Sequence, residues 1–321
     1  MLQQQDTLIM PMPLTGLFPK QQRKPSWFKI QPPRKDGFET IRQVLRQRNL
    51  HTVCEEAHCP NMAECWAGSG TGDGIRVGTA TFMVLGDTCT RGCKFCAVKT
   101  GNPRRYVDQE EPENLASAIA DMKLGYVVIT SVDRDDLPDE GSSHIAACIK
   151  SVKEKHPATR VEVLIPDFKG KDGLIQQIID AKPDVIAHNI ETVQRLQRKI
   201  RDPRAGYEQS LHVLDVVRRQ DPAIITKSSI MLGLGETKEE VIEAMKDLRS
   251  IGVSILTLGQ YLRPSQKHIP VVEYVNPAVF EEYKKIGEQL GVAFIAAGPF
   301  VRSSYKAGEL FVEHILEKRT A

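Results

Sequence analysis

From residue 79 onward, short apolar, β-branched runs alternate with stretches of helical period, and this alternation constrains the fold more than any other feature. The runs are "TATFMVLG" (79–86), "YVVITS" (126–131), "RVEVLIPD" (160–167), "DVIAHNI" (184–190), "IITKSSIMLG" (224–233), "SILTLGQYL" (254–262) and "VAFIAAGPF" (292–300). Between them lie segments such as "ENLASAIADMKLG" and "KEEVIEAMKDLRSIG"; Thr237 with Glu240 supplies the Ser/Thr-x-x-Glu signature of a helix start. Strands that are apolar on both faces are covered on both faces, which implies parallel pairing through helical crossovers. The pattern predicts an α/β fold: a partial (βα) TIM-like barrel of about six βα units over residues 79–300, with a doubly wound sheet as the alternative. In such barrels chemistry sits at the C-terminal ends of the strands. That places Cys89–Cys96, "SVDRDDL" (131–137), "NIET" (189–192) and "GLGET" (233–237) on one rim.

The N-terminal part reads differently. Residues 1–37 are rich in Gln, Pro, Lys and Arg and are expected to form an extended arm, which Trp27 and Phe28 anchor. Residues 38–50 place Ile41, Val44 and Leu45 on one helical face, and 38–78 form a cysteine-bearing segment ending in a Gly-rich link. A C-terminal segment, 301–321, carries "RSSY". The formal net charge of +2 offers no electrostatic case for nucleic acid, and no apolar run reaches the ~18 residues of a membrane helix. The start of the chain lacks the pattern of a secretory signal. Seven cysteines, an odd number, then argue for reduced thiolates in a cytoplasmic setting rather than a disulfide framework.

Six of the seven cysteines fall into two triplets, each one ligand short of a closed metal site. Cys89, Cys93 and Cys96 follow C-x3-C-x2-C, and Cys54, Cys59 and Cys65 follow C-x4-C-x5-C. A structural zinc site needs four closed ligands. No histidine lies between His58 and His144 to complete the second triplet; His51 or His58 is available to the first. Three thiolates on a short loop instead suit three corners of a 4Fe–4S cube, and an open fourth corner calls for a ligand from outside the protein. S-adenosylmethionine, through its amino and carboxylate groups, is such a ligand, and its reductive cleavage yields radical chemistry that side chains cannot supply. With Phe95 between the last two cysteines and a barrel behind them, the second triplet reads as the radical S-adenosylmethionine signature.

The stretches "CEEAHCPNMAEC", "TATFMVLGDTCTRGCKFCAV", "VVITSVDRDDLPDEG", "RKIRDPRAGYEQSL", "MLGLGET", "LTLGQYLRPS" and "GPFVRSSYKAGE" together resemble the successive motifs of the lipoyl synthase family, across about residues 38–315. The Gly-rich link after Cys65 is longer than in many members and lies outside every ligand motif. The resemblance implies that the first triplet and a serine of "RSSY", Ser304 or its neighbour Ser303, hold an auxiliary 4Fe–4S cluster. It further implies that this cluster is consumed as two sulfur atoms enter carbons 6 and 8 of an octanoyl chain on a lipoyl-carrier domain. A ferredoxin- or flavodoxin-type reductant and a monomeric state are expected. Physical chemistry agrees: environments move a pKa by up to about 3–5 units, far too little for a base to deprotonate an alkane methylene.

Other rim residues have narrower readings. Ser131 or Asp133 is expected to hydrogen-bond the sulfonium cofactor, against a plain solvated loop. Asn189 and Glu191 alternate with Ile190 and so share a face. Arg201, Arg204 and Arg263 are carboxylate-binding candidates, and Gly235 is placed near the adenosine by the resemblance. His188 is read as a satisfied core histidine and Cys148 as a buried small hydrophobe. Lys227 in a strand needs a partner that the sequence does not name. The competing functions are a biotin-synthase-like sulfur inserter, an iron–sulfur electron carrier and a zinc-stabilised binding module.

Overall fold

A computed structural model of the chain describes residues 23–28, 35–56, 59, 61–62, 65, 69–70, 76–77, 80–304, 312 and 315. Most of the arm and of the C-terminal segment, and His58, lie outside the described residues.

Helix α1 (Lys35–Gln47) starts three residues before the expected boundary at 38. It ends where Asn49 takes a left-handed φ of 53°, and the Leu50 N–H closes onto the Leu45 carbonyl at 2.9 Å. Leu45 and Leu50 are buried there, with Ile41 and Val44 packed beside them.

The main sheet has eight strands: β1 (His51–Thr52), β2 (Ala80–Val84), β3 (Tyr126–Ser131), β4 (Arg160–Leu164), β5 (Val185–Ala187), β6 (Ile225–Leu232), β7 (Ile255–Gln260) and β8 (Phe294–Gly298). Spatial order equals chain order. β1 runs antiparallel to β2, and every later neighbour pair is parallel. Helices α3 (Glu111–Met122), α4 (Ser142–Lys155), α5 (Asp172–Asp180), α7 (Tyr207–Gln220), α8 (Lys238–Ser250) and α9 (Pro277–Gln289) follow β2 to β7 in turn; short helices α2 (Val53–Glu56) and α6 (Gln197–Ile200) lie in connections. Six βα units with a closing strand are thus the partial barrel expected. Among the described residues β1 and β8 do not pair, so the sheet stays open.

The pleat sorts each strand between two environments. Val127 and Ile129 of β3 face the helices and join the outer core with Leu115, Ile119 and Ile149. Tyr126 and Val128 face inward with Val185, Ile225 and Ile255, and Val312 packs against this set. Above that layer lies the partner the sequence withheld. The Lys227 ammonium sits 2.7 and 3.0 Å from the two Glu162 oxygens, and the Tyr126 hydroxyl donates to Glu162 at 2.6 Å. α8 begins with both halves of its capping box, Thr237 Oγ1 accepting from the Glu240 N–H and the Glu240 carboxylate from the Thr237 N–H. A cap of this kind contributes about 1 kcal/mol.

Candidate active site at the barrel rim

The loop after β2 is closed by a two-residue parallel pairing, Thr88–Cys89 with Lys99–Thr100, and by the Gly101 N–H on the Cys89 carbonyl at 2.9 Å. Neighbouring rim loops hold it from several sides. The Thr90 N–H donates to Asp133 O at 3.0 Å, the Lys94 N–H to Ile200 O at 2.9 Å, and the Ile269 N–H to Lys94 O at 3.2 Å. His268 Nε2 lies 2.9 Å from the Cys96 carbonyl oxygen. Two sulfurs already accept backbone hydrogens: Arg91 N–H on Cys89 at 3.4 Å and Asp202 N–H on Cys93 at 3.3 Å. Burial pushes the thiols up, Cys89 and Cys93 to about 12 and Cys96 to about 11, with Asp133 adding to each. Thiolates held so dry need a positive centre bonded to them.

Arg91, within this loop, is a buried hub that sequence reasoning missed. Its guanidinium reaches Asp167 at 2.6 and 2.8 Å, Asp135 at 3.0 and 3.1 Å and Asp133 at 3.3 Å. The acidic run 131–137 is therefore no solvated loop: Asp133 and Asp135 face Arg91, and Asp136 pairs with Arg134. Burial raises Asp133 to about 6 despite Arg91, whereas Arg91 and Thr90 hold Asp135 well below the usual carboxylate range although burial opposes them. The available signal was an arginine between two cysteines beside a strand-end run of acids.

Asn189 and Glu191 share a face as expected, the Asn189 amide donating to Glu191 at 3.1 Å. Glu191 takes a left-handed φ of 64°, and burial raises its pKa. Arg201 is buried, giving Nη1 to Ser210 Oγ at 2.8 Å and to Gln197 at 3.1 Å. Arg204 instead binds Asp202 and the Thr90 carbonyl, and Arg263 binds the carbonyls of His268 and Gln266. His188 is satisfied on both ring nitrogens. Cys148 is fully buried beside Glu111 and His144, a pair joined at 2.6 Å.

The first triplet is assembled against the C-terminal segment. The Cys59 N–H donates to Cys54 O at 3.0 Å and the Cys65 N–H to Asn61 O at 2.9 Å; the Asn61 side chain then reaches Phe300 O at 2.6 Å. Phe28 of the arm packs on Phe300 and Tyr274, with ring centroids 5.1 and 6.0 Å apart, which is the expected anchor. One cavity of about 520 Å³ is lined by Cys54, Cys59, Ser303 and Ser304 on one side and by Cys89, Cys93 and Cys96 on the other. Phe95, Ser131, Asp133, Asn189, Glu191 and Arg201 also line it, whereas Cys65 is buried behind.

Gly235 does not line the cavity. The Gly233 and Leu234 N–H groups are drawn onto the Glu236 carboxylate at 2.5 and 2.9 Å, and Arg195 binds the Gly235 carbonyl, so this glycine serves a turn on the outside of the rim.

Zn–S bonds of about 2.3 Å imply sulfurs ~3.8 Å apart around one tetrahedral ion. Among the described residues only Glu111, His144 and Cys148 bring three ligand atoms within 4.8 Å of one another; neither cysteine triplet does, and His51 joins no such group. Neither triplet is gathered to the spacing of a single tetrahedral ion. Beside them, Ser131 Oγ and Asn189 Oδ1 are buried with no hydrogen-bond partner. Buried polar atoms of this kind require a partner, and ammonium or hydroxyl groups of a ligand are donors of the kind they lack.

The radical SAM superfamily profile matches residues 83–248, and the profile of the N-terminal domain of lipoyl synthase matches residues 18–59. Lipoyl synthase from Halobacterium salinarum is 56% identical over 297 residues, spanning 92% of this chain and 93% of its own. The chain belongs to the lipoyl synthase family. The chloroplastic lipoyl synthase of Arabidopsis thaliana is 53% identical over 95% of this chain and 76% of its own, and that of Thermus thermophilus 53% over 92% and 88%. Among solved structures the fold is similar to HydG, a maturase of the [FeFe]-hydrogenase (TM-score 0.55, 15% identity, 81% of this chain and 66% of that one), and to methylornithine synthase (0.50, 12%, 83% and 79%). A lipoyl synthase is a radical S-adenosylmethionine, sulfur-inserting enzyme, so family membership implies that cofactor and a 4Fe–4S cluster. Among the described residues no helix is long and apolar enough to cross a membrane.

Proposed function

We propose that the chain inserts two sulfur atoms, at carbons 6 and 8, into an octanoyl group held in amide linkage on a lysine of a lipoyl-carrier domain. The observation that carries this reading is the shared cavity: Cys54 and Cys59 of the first triplet, all three cysteines of the second and the two serines of "RSSY" open onto one space. Substrate carbon, radical source and sulfur source meet there without a carrier step. When bound, S-adenosylmethionine and its cluster supply a carbon-centred radical, and the auxiliary cluster supplies the sulfur.

Cys89, Cys93 and Cys96 would hold the cluster with the open corner. Ser131, Asp133, Asn189, Glu191 and Arg201 would bind the polar groups of S-adenosylmethionine, with Phe95 against the same space. Cys54, Cys59, Cys65 and Ser304 would hold the second 4Fe–4S cluster, with Ser303 the alternative fourth ligand. An oxygen ligand suits iron less well than thiolate and is displaced more readily, which fits a cluster that is dismantled during turnover. Arg91, tied to three strand-end carboxylates, keeps the Cys89–Cys96 loop registered on the rim. Gly235 has no part in this reading. A monomer reduced by a ferredoxin or flavodoxin in the cytoplasm completes it; no disulfide forms among the seven cysteines.

The test is anaerobic turnover of an octanoylated lysine peptide, read by mass. One added sulfur and then two are expected, with two 5′-deoxyadenosines per product. The triple variant with Cys54, Cys59 and Cys65 changed to alanine is expected to keep 5′-deoxyadenosine formation and lose every thiolated species. Thiolated product at the native rate from that variant overturns the assignment.

A further inference from the structure

Arg302 directly precedes Ser303 and Ser304 and lines the cavity that they share with Cys54 and Cys59. Nη1 donates to the backbone carbonyls of Val301 at 2.6 Å and Pro299 at 3.4 Å, so the guanidinium curls back on its own segment. Nη2 is buried with no hydrogen-bond partner. No salt bridge joins Arg302 to a described carboxylate, in contrast to Arg91, Arg134 and Arg204. Burial lowers its pKa, and the charge that opposes this is Cys59. It lines the cavity with Cys54, Cys59, Ser303 and Ser304. There is no room to retreat: a Cβ at Gly259 would overlap the Val301 carbonyl, so the segment lies directly on the end of β7.

A guanidinium does not shed its proton, and a buried one without an anion costs several kcal/mol. Among the described residues no carboxylate supplies that anion. Three thiolates and a serine oxygen around a 4Fe–4S core carry net negative charge, and they sit on this same wall. From the orphaned Nη2 beside Cys59 we infer that Arg302 is a positioning residue: the counter-charge that holds the auxiliary cluster anion in place and raises its reduction potential. This deepens the proposed function and rests on it. Net charge and hydrogen bonds to the sulfurs set the potential of such clusters, so removing a fixed cation makes reduction harder. The expected outcome is a cluster that is both harder to reduce and more weakly held.

The test uses the full chain with Cys89, Cys93 and Cys96 replaced by alanine, leaving one cluster to observe, with Arg302→Gln and Arg302→Lys added separately. Iron and sulfide are counted, and the midpoint potential is followed by EPR in a redox titration. The potential of R302Q is expected to move to more negative values than that of the parent, with R302K between the two. Equal potentials in parent and R302Q overturn the role of Arg302 while leaving the cluster assignment standing. Loss of the cluster in both R302Q and R302K assigns the residue to packing and also overturns it. A parent that assembles no four-iron cluster overturns the underlying reading itself.

Discussion

His188 offers a prediction whose size follows from the structure. The ring is buried at the end of β5. Nδ1 lies 2.8 Å from the Ile165 carbonyl, which can only accept, so Nδ1 carries the hydrogen. Nε2 then accepts from the Ser210 hydroxyl at 2.9 Å, and that hydroxyl in turn accepts from Arg201 at 2.8 Å. Protonating Nε2 would set two donors face to face beside a buried guanidinium. Burial, reinforced by Arg201, accordingly lowers the pKa to about 4 from an ordinary 6.5. The sign follows from linkage. Between those values the unfolded chain binds more protons, so the stability is fully present above pH 6.5 and is lost as pH falls to about 4. The gap corresponds to roughly 3 kcal/mol. His188→Gln should cost roughly 1–2 kcal/mol at neutral pH through its altered hydrogen bonds, and should remove this acid-side loss. Urea unfolding at steps between about pH 7.5 and 4, followed by tryptophan fluorescence and circular dichroism, gives the difference between parent and variant, in which other titrating groups cancel. A difference that stays constant across that range refutes the relay and the neutral buried ring.

The buried pair below the cavity predicts asymmetry: Lys227→Met should cost about 3–5 kcal/mol by stranding Glu162, and adding Glu162→Leu should restore much of it. Denaturant unfolding checks this, and equal losses in single and double variants refute it. Gly233→Ala should lose roughly 2–5 kcal/mol, because φ is +91° and a Cβ would overlap the Gln260 amide and the Glu273 carbonyl. A melting temperature unchanged from the parent would contradict the turn geometry. At Gly235, also at positive φ (+101°) but with only Val272 methyls near, alanine should cost less than at Gly233, leaving cofactor affinity intact by equilibrium binding.

The seven strands were legible because a strand covered on both faces leaves a continuous apolar run, and nothing else in a polar chain resembles it. Their ends were less legible. "DVIAHNI" reads as one strand, yet β5 stops at Ala187, because His188 turns into a hydrogen-bonded corner and Glu191 adopts left-handed backbone. Lys227 exposes a second limit. Its partner lies 65 residues earlier, on β4, with β5 between them in the sheet. Local sequence reports that a buried charge needs a counter-charge, but register two strands away decides which residue supplies it.

The same distinction runs through the site. Cysteines announce themselves, since a reduced triplet at fixed spacing has few uses; Asn189 and Glu191, read as strand alternation, meet instead in the corner beyond β5. Arg302 gave no such signal, and Arg91 only its place between two cysteines beside a run of acids, because an arginine is usually solvated and only a closed environment makes it informative. Arg91 is explained by three acids that the fold gathers from the ends of β3 and β4. Arg302 pairs with no described carboxylate, and that contrast is physical evidence in its own right. Arg91, Arg201 and Arg302 all line one cavity: Arg91 is neutralised by carboxylates, Arg201 is held by Ser210 and Gln197, and Arg302, on the side that carries Cys54, Cys59 and Ser304, keeps a buried Nη2 with no hydrogen-bond partner. Among the described residues the first charge is balanced so thoroughly that the unpaired nitrogen of Arg302 stands out as the place for an acquired anion.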